Sequence, residues 1–447
     1  NVLCFPFIFR GALDAGATEI NEAMKIACVH ALAELARAEA SDIVLKAYGG
    51  QPTSFGPDYL IPRPFDPRLV IAIAPAVAKA AMDSGVATRP IEDFDEYRDQ
   101  LSQFVFRSGL LMKPVFDAAR AEPRRVVYAE GEEERVLRAV QVVVDEKLAW
   151  PILIGRRRVV ESRVRRLGLR LRMDLDFELC DPEDDPRYDE YWTLYHELLG
   201  RNGVSPDYAR TVVRTRTTVI AALMLRRGEA DAAICGTVGA YQRHLRHLRN
   251  VIGLRSGVSK PAALTVLILS KGTFFLADTQ VLAERNATEI AEMTMLAAEE
   301  TRRFGIEPKI ALLSHSNFGG IDSESACRMR EAVAILQRDH PNLEVEGEMH
   351  ADSALVEEIR DRIFPGSRLD GAANVLIMPS LDAANISYNL LKVLGDGLSV
   401  GPILLGMARP AHILTPSVTT RGIVNMTALS VIDAQAVEAE ATGGPTR

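Results

Sequence analysis

The spacing of hydrophobic positions changes part-way along this sequence. In the first part the spacing is helical, and the alanine-rich stretch 20–39 predicts an amphipathic helix. The apolar run 69–82 fits either a strand or a buried helix. An apolar run also opens the chain, and we expect turns after it at Gly11 and Gly16.

From Arg125 onward, short apolar runs alternate with helical segments to the end of the chain. A strand at 126–128 is followed by a helix at 132–147 and a strand at 151–154. Alternation of this kind is typical of parallel strands joined by crossover helices, and it predicts an α/β fold. Further strands are expected at 232–235, 263–269, 309–313, 374–378 and 401–405, and further helices at 288–304, 324–339 and 352–363.

Composition and charge disfavour several classes of protein. The chain has 447 residues, 47% hydrophobic and 25% charged, which is ordinary for a globular protein of about three domains. Its net charge of -8 disfavours a protein built to hold nucleic acid. No apolar run reaches the ~18 residues of a membrane span, and five widely spaced cysteines predict no disulfide or zinc framework. We expect a cytoplasmic protein with neither nucleic acid nor membrane as partner.

The sequence lacks the usual signatures of a dinucleotide site and of a metal site. The nearest glycine-rich match, Gly395-Asp396-Gly397 with Gly401, has the wrong spacing and precedes a strand instead of following one. His244 and His247 lie three residues apart on a predicted helix, but the arginines around them disfavour a cation. We therefore predict no cofactor and no metal ion in this chain.

Two segments are rich in arginine. Arg243, Arg246 and Arg249 follow one another at three-residue intervals on a predicted helix, a stripe that suits phosphate groups. A solvated helix face explains the same pattern. The second segment, 156–172, has no interleaved aromatic residues, and we interpret it as a solvated surface and not as a nucleic-acid site.

Two further segments place polar side chains after predicted strands. The segment Ser314-His315-Ser316-Asn317-Phe318-Gly319-Gly320 lies where open α/β sheets bind ligands. Adjacent serine and histidine side chains usually point apart, so a pocket lining is favoured over a nucleophile and its base, with a polar turn as the alternative. Thr419-Thr420-Arg421-Gly422 sets hydroxyls beside an arginine, which suits an oxyanion or phosphate but equally a capped helix start.

Taken together, these segments resemble phosphotransacetylase. The resemblance covers about residues 110–436 and implies a two-lobed module of the isocitrate/isopropylmalate dehydrogenase-like kind. It implies one lobe from 110–258 and 411–436, and the other from 259–410. The matching blocks are 126–135, Gly228-Glu229-Ala230-Asp231 with Cys235-Gly236, 304–308 leading into Ser314, Pro379-Ser380-Leu381-Asp382-Ala383-Ala384-Asn385, and 400–406.

The first residues are similar to malic enzymes instead. The similarity rests on Asn1-Val2-Leu3-Cys4-Phe5-Pro6, on Arg10-Gly11-Ala12-Leu13 and on Ile20-Asn21-Glu22-Ala23-Met24-Lys25. Asn1 matches an asparagine with which that family binds malate. The order of the two parts resembles bacterial hybrid NADP-dependent malic enzymes, and it implies that this chain is the C-terminal part of one.

This resemblance implies a domain order and a set of cofactors. Residues 1–92 would end a Rossmann-type NAD(P)-binding domain, 93–109 would form a linker helix, and 437–447 would be a disordered tail. The residues that bind NADP and a divalent metal ion, Mg or Mn, would precede this chain.

The resemblance also implies a site for acetyl-CoA or phosphate, in an assembly expected to be a homo-oligomer. Thr420 and Arg421 stand at the family's Ser-Arg positions, but the acidic loop that carries the family's proposed base is missing after Gly422, a loss that costs about 10²–10⁴ in rate. We therefore expect acetyl-CoA to be a regulatory ligand that is not turned over. An active phosphate acetyltransferase and an oligomerisation scaffold are the alternatives. The site residues are Arg246, Ser314, His315, Ser316, Asn385, Asn389, which replaces a frequent lysine, Thr420 and Arg421.

Overall fold

The chain divides into two units, Asn1–Lys113 and Pro114–Arg447. The computed structural model describes residues 3–38, 55–56, 59–62, 66, 68–105, 107–269, 271–395 and 397–442. Asn1, the predicted malate-binding residue, lies outside the described residues. In the described part of the chain, no helix is long and apolar enough to cross a membrane.

The described residues of the first unit are mainly helical. Its helices are α1 Phe5–Asp14, α2 Glu22–Arg37, α3 Arg68–Asp83 and α4 Phe94–Val105. Helices α1 and α2 both pack against α3, and the core between them includes Met24, Ile73 and Val77. The apolar run 69–82 is therefore a buried helix and not a strand.

The predicted turn at Gly11 is wrong, because this glycine lies inside α1. A Cβ atom at Gly11 would lie 2.4 Å from the Ala74 carbonyl oxygen, so the glycine is needed for the close approach of α1 to α3. Gly16, with φ of 63°, forms the predicted turn, just after α1 ends. The Cys4 and Cys28 thiols lie 2.9 Å apart between α1 and α2, and both cysteines are free.

The second unit alternates strands and helices. Its strands are β1 Arg124–Tyr128, β2 Ala149–Ile154, β3 Glu178–Cys180, β4 Ala232–Cys235, β5 Ala262–Leu269, β6 Gly272–Ala277, β7 Ile310–Leu313, β8 Val345–Met349, β9 Val375–Ile377, β10 Leu398–Leu405 and β11 Ala411–Ile413. Helix α5, Arg107–Ala121, contains the division between the units. The helices that follow are α6 Glu134–Asp145, α7 Arg157–Arg166, α8 Tyr188–Leu199, α9 Pro206–Thr215, α10 Thr217–Arg227, α11 Tyr241–Val251, α12 Ala287–Arg303, α13 Glu324–Asp339, α14 Ala351–Leu355, α15 Glu357–Ile363, α16 Leu381–Leu394 and α17 Thr420–Thr442.

These strands form two sheets, one in each lobe. The first sheet is wholly parallel and has the order β11-β4-β1-β2-β3, so the chain returns to it after building the second lobe. The second sheet has the order β10-β5-β6-β9-β7-β8. Both sheets are parallel-rich, and the predicted two-lobed α/β fold is confirmed.

The second sheet differs from the prediction at its edge. Strand β5 pairs antiparallel with both β6 and β10, whereas the sequence pattern predicted parallel strands and missed β6. Only Ser270 and Lys271 separate β5 from β6, and so short a connection cannot form the crossover that a parallel pair needs.

Helix α17 extends further than the sequence pattern indicated. It continues to Thr442, six residues past the predicted end of ordered structure at 436, so residues 437–442 are helical and not a disordered tail. The helix is mostly buried along 423–434, where it packs on β1 and β4 of the first sheet. Residues 443–447 lie outside the described residues.

A buried group of charged side chains joins the two lobes. Arg303 of α12 donates to Glu300 at 2.9 Å and to Asp433 of α17 at 2.6 Å. His412 of β11 lies 3.0 Å from the other Asp433 oxygen, and its Nδ1 accepts a hydrogen bond from the Leu404 backbone. Burial opposes ionisation of Asp433, but Arg303 and His412 outweigh it and hold the pKa of Asp433 below its usual range.

Candidate functional site

The loops after β1, β4 and β11 meet at the carboxyl edge of the first sheet, where open α/β sheets bind ligands. The loop after β4 passes very close to the loop after β11. A Cβ atom at Gly236, whose φ is 92°, would lie 2.4 Å from the Leu414 carbonyl oxygen. Only glycine fits this crossing of two loops.

Arg135 follows the loop after β1 and forms hydrogen bonds with the loops after β4 and β11. Its guanidinium donates to the carbonyl oxygens of Pro416 and Val418, at 2.7 and 2.8 Å, and to that of Thr237 at 3.3 Å. It also donates to the carboxylate of Glu133, which caps α6. The position of the segment before Thr420 is therefore fixed by a residue that the sequence pattern did not indicate.

Glu130 is a second residue at this edge that the sequence pattern did not single out. Its carboxylate accepts hydrogen bonds from the Gly236 amide and the Thr237 hydroxyl, both at 3.2 Å. Burial nevertheless raises the pKa of Glu130 to about 7. The signal in the sequence was an acid directly after a buried strand.

Helix α11 begins where the loop after β4 ends, and it carries Arg246. The side chain of Arg246 is exposed, and Gln242, one turn earlier on the same face, reaches across to the second lobe. The Gln242 amide donates to the carbonyl oxygens of Gln280 and Val281, at 2.9 and 3.0 Å. The start of α11 is therefore tied to the loop after β6.

The two histidines of α11 do not form a metal site. Nε2 of His244 faces the Val238 carbonyl at 2.9 Å, which can only accept, so Nδ1 accepts from the Thr218 hydroxyl at 2.8 Å. Both nitrogens of His244 are thus engaged, and burial lowers its pKa. No group of three or more histidine, cysteine or acidic side chains in the described ranges is arranged to hold a metal ion.

Asn385 and Asn389 lie on α16, in the second lobe. The Asn385 amide donates to the Thr279 carbonyl at 3.3 Å, in the same loop that Gln242 contacts. The Asn389 amide donates to the Asn385 side-chain oxygen at 3.0 Å. Helix α11, which carries Arg246, and helix α16, which carries Asn385, therefore both contact the loop 278–282.

That loop is held rigidly by Asp278. Its buried carboxylate accepts from the backbone amides of Ala263 and Val281 and from the Arg285 guanidinium, at 3.2, 3.0 and 2.6 Å. A loop fixed in this way positions the starts of α11 and α16 relative to one another.

The segment Ser314–Phe318 follows β7, at the same edge of the second sheet as the loop after β6. His315 is exposed, and its Nε2 lies 3.2 Å from the Ser323 hydroxyl, so it does not form a nucleophile pair with either neighbouring serine. Ser314 accepts a hydrogen bond from the Ser316 amide. Ser314 and His315 remain predicted ligand contacts.

The Ser316 hydroxyl forms hydrogen bonds within the protein. Its side chain is buried, it donates to Glu348 at 2.8 Å, and it accepts from the Ile321 amide at 3.0 Å. Glu348 in turn accepts from Arg330. In this structure the Ser316 hydroxyl shapes its loop, and its contact with a ligand stays a prediction.

Thr420 and Arg421 begin helix α17. The Gly422 amide donates to the Thr419 hydroxyl at 3.1 Å, so Thr419 caps the helix, as the alternative interpretation of this segment expected. Arg421 is exposed, with its guanidinium 4.9 Å from the centre of the Phe116 ring. The first turn contains no acidic residue, and the residues that follow, from Ile423, turn inward and are buried.

A groove of about 840 Å³ lies elsewhere, in the first unit between α2 and α3. Six of its fifteen lining residues are alanines, and none is a predicted site residue. We therefore place the candidate site in the second unit, where polar loops of both lobes converge.

Comparison with known proteins identifies the family that the second unit resembles. Residues 110–431 match the family described as phosphate acetyl/butaryl transferase. A phosphotransacetylase from Streptococcus pyogenes has a similar structure, with a TM-score of 0.69 and 27% identity over 74% of this chain and 99% of that one.

The whole chain is similar to part of a longer kind of protein. It is 60% identical to an NAD-dependent malic enzyme of Rhizobium meliloti and 56% identical to an NADP-dependent malic enzyme of Escherichia coli, each over 97% of its length. It spans 56% and 57% of those proteins, about half their length. The chain therefore belongs to the phosphate acetyl/butaryl transferase family, and it carries that domain in the hybrid arrangement of the bacterial malic enzymes.

Proposed function

We propose that residues 110–436 bind acetyl-CoA, or a related acyl-CoA, without transferring its acyl group. The observation that carries this proposal is the start of α17. The helix begins at Thr420 and runs on through buried residues, so no carboxylate follows Arg421 until Asp433, which is already paired with Arg303. The arginines that would hold an anionic ligand are present, whereas the segment 422–432 that follows Arg421 contains no acidic residue.

The chemistry explains why this difference matters. Acyl exchange between CoA and phosphate needs a group that takes the proton from the CoA thiol, and it needs donors that stabilise charge on the carbonyl oxygen. Arg246 and Arg421 supply positive charge, and Thr420 supplies a hydroxyl. Without the base, binding persists while the rate falls by about 10²–10⁴.

In the longer protein, we propose that this binding regulates a malic enzyme that converts malate to pyruvate by oxidative decarboxylation. Regulation requires acetyl-CoA to bind two states of the assembly with different affinity. We assign NADP and a divalent metal ion, Mg or Mn, to that part of the protein, because this sequence has no dinucleotide fingerprint. The relatives are named for NAD and for NADP, so assays with both dinucleotides test this assignment. A homo-oligomer held by the phosphotransacetylase-like domain is part of the proposal.

Calorimetry combined with a thiol-release assay tests the proposal. We expect this chain to bind acetyl-CoA and to release no CoA above background when phosphate is added. Absence of binding would overturn the sensor role. Binding that leaves malate oxidation by the longer protein unchanged would overturn the regulation.

An active phosphate acetyltransferase is the second candidate, and Glu130 favours it. A buried carboxyl with a pKa of about 7, at the edge of the sheet that carries the site, has the proton affinity of a general base. Release of CoA by the unaltered chain that disappears in Glu130→Gln would support this candidate. A stable oligomer that light scattering shows to be indifferent to CoA compounds, together with no binding, would leave a scaffold role.

A further inference from the structure

Cys4 and Cys28 belong to different helices of the first unit and meet in the folded chain. Cys4 precedes the first turn of α1, and Cys28 lies in α2, 24 residues further along the sequence. Their Sγ atoms lie 2.9 Å apart, and both thiols are free. A disulfide bond is about 2.05 Å long, so the two sulfur atoms need to approach one another by only about 0.9 Å. The fold therefore brings together two cysteines that their spacing in the sequence did not pair.

The Cys4 thiol is not used by its own helix. Cys4 occupies the N-cap position of α1, where a serine, threonine, aspartate or asparagine side chain usually accepts a hydrogen bond from the first turn. The Cys4 side chain accepts no such bond. By contrast, Asn21 caps α2 and accepts a hydrogen bond from the Met24 amide at 3.1 Å. The thiol at the start of α1 thus faces Cys28 instead of capping its helix.

Helices α1 and α2 are both held against α3, and this packing sets the distance between the two thiols. Helix α1 approaches α3 closely at Gly11, where a Cβ atom would meet the backbone of α3. At the start of α2, the Asn21 amide donates to the hydroxyl of Ser84, directly after α3, at 2.8 Å. Cys28 is fully buried in the core that the three helices share. The two sulfur atoms are therefore close because three packed helices hold them there.

The two thiols differ in access and in acidity. Cys4 is partly exposed, so a small oxidant can reach it, whereas Cys28 is buried. Burial raises the pKa of the Cys28 thiol to about 12, and the neighbouring Cys4 adds to the shift. Because the thiolate is the nucleophile in disulfide exchange, Cys4 reacts first and Cys28 second. Once the Cys4 sulfur is bonded to the oxidant it carries neither a proton nor a charge, so its share of the shift at Cys28 disappears.

We propose that Cys4 and Cys28 are a redox modification site, at which a small-molecule disulfide generates a reversible covalent bond between α1 and α2. In the first step the Cys4 sulfur attacks the small disulfide, releases one half as a thiol and keeps the other half as a mixed disulfide. In the second step the Cys28 sulfur attacks the Cys4 sulfur, and the remaining half leaves as a second thiol. The two cysteines lose two electrons and two protons, which the oxidant carries away as its two thiols. This site is independent of the proposed acyl-CoA binding.

The other three cysteines lie apart from one another. Cys180 and Cys235 end β3 and β4, which β1 and β2 separate in the first sheet. Cys327 is exposed on α13, in the second lobe. An oxidant that acted according to exposure alone would modify Cys327 and would leave the buried Cys28 untouched. Reaction at Cys28 is therefore specific evidence for the pair.

The test treats the folded full chain with oxidised glutathione, blocks the remaining thiols by alkylation and maps the products by mass spectrometry. We expect a linked pair of peptides that contains Cys4 and Cys28 within one chain, and a thiol reductant should restore both thiols. Hydrogen exchange measures the consequence for the fold. Amides of α1 should exchange at least about tenfold more slowly in the oxidised chain, because a bond to α2 opposes local opening of the helix.

Two variants separate the pair from a single reactive thiol. In Cys28→Ala the second step is impossible, so Cys4 should stop at the mixed disulfide and retain glutathione. Cys180→Ala is the matched control, because it removes a thiol that is equally buried but lies in the second unit. This control should form the bond between Cys4 and Cys28 to the same extent as the unaltered chain.

Three results would overturn the inference. One is an unaltered chain in which Cys4 does not react or keeps glutathione, and another is a bond from either cysteine to a different cysteine or to a second copy of the chain. The third is a bond that forms while the amides of α1 exchange at an unchanged rate, since the bond would then not hold α1 to α2. If Cys28→Ala does not fold, the linked peptides of the unaltered chain decide the inference without it.

Discussion

The two arginine-rich segments of the first lobe look alike in the sequence and differ in the structure. In the segment 156–172, Arg156 pairs with Glu132 at 2.8 Å, Arg170 with Asp145 at 2.6 Å, and Arg172 with Asp176 at 2.9 Å. Arg166 likewise pairs with Glu134. On α11, by contrast, the stripe of Arg243, Arg246 and Arg249 has no such partner within the described residues.

This difference separates a charged surface from a candidate binding surface. Exposed pairs neutralise one another and leave little attraction for a ligand, although Arg158 and Arg165 of the same segment have no ion pair among the described residues. That 156–172 is not a nucleic-acid site stays a prediction. Burial lowers the pKa of His247, and the charges of Arg216, Arg246 and Arg243 lower it further. A bound anion would offset the arginines' share of this shift. Whether an arginine has a partner is thus more informative than how many arginines a segment contains.

The largest effect should follow when Arg303, whose side chain is 25% exposed, loses one of its two carboxylate partners, a third case beside the exposed pairs and the unpaired stripe. Asp433→Ala would leave Arg303 and His412 without the carboxylate that joins the lobes. We expect the free energy of unfolding to fall by about 1–3 kcal/mol, because Arg303 keeps only Glu300 as its partner and the buried Nε2 of His412 loses the carboxylate beside it. Urea unfolding followed by the fluorescence of Trp150 and Trp192, both in the first lobe, measures it.

A partly exposed pair on the same helix as Arg303 provides the control for that measurement. Glu299 pairs with Arg255 at 2.8 Å, and both side chains are more than a third exposed. Glu299→Ala should change stability by no more than about 1 kcal/mol. Equal losses in the two variants would show that burial does not distinguish these arginines.

A substitution at Arg246 should have the next largest effect, on ligand affinity. Arg246→Gln removes one unpaired charge and should weaken acetyl-CoA binding by about tenfold. Arg246→Lys keeps the charge but loses the planar fork, so we expect an intermediate affinity. Calorimetry at fixed ionic strength checks both, and full affinity in Arg246→Gln would contradict the role of the stripe.

The sequence predicted the architecture better than it predicted which strands pair and which side chains form ion pairs. Alternating strands and helices indicated the α/β fold, because that pattern is local. The pairing of β5 with β6 was missed, since the pattern of a single apolar run does not show where a two-residue connection reverses the chain. The partners of the arginines were missed for a related reason: Arg303 and Asp433 are 130 residues apart.

Prediction of the candidate site from the sequence was limited for the same reason. Arg246, Thr420 and Arg421 were indicated by composition and by resemblance, and the sequence places each at a strand's carboxyl end or on the helix that follows. Arg135 was not, because its role is to hold three carbonyl oxygens that come together only in the folded chain. Ser316 was assigned to a ligand because nothing in the sequence shows that Glu348 and the Ile321 amide use its hydroxyl.

A smaller effect is expected in the dependence of stability on pH. His247 has a pKa of about 4 in the folded chain and an ordinary value near 6.5 in the unfolded chain. Below about pH 6.5 the unfolded state therefore binds a proton that the folded state does not, and stability falls as the pH decreases toward 4.

The variant His247→Gln isolates this contribution. It should lose less stability than the unaltered chain between pH 6.5 and 4, as followed by urea midpoints at each pH. Burial is the largest cause of the shift, and the groups that act on the ring are His244 and the cations Arg216, Arg246 and Arg243. Identical pH profiles in the two proteins would show that His247 does not have a lowered pKa in the folded chain.

The smallest effect should come from the paired segment. Arg170 is 77% exposed and pairs with Asp145, so Arg170→Gln should change the free energy of unfolding by no more than about 1 kcal/mol. The same variant should bind acetyl-CoA with unchanged affinity, because its charge is already offset within the lobe. If Arg170→Gln weakened acetyl-CoA binding as much as Arg246→Gln, pairing would not be the property that separates the two segments. Measuring both variants at low and at high salt sharpens the contrast, since only the unpaired stripe should make ligand affinity depend on ionic strength.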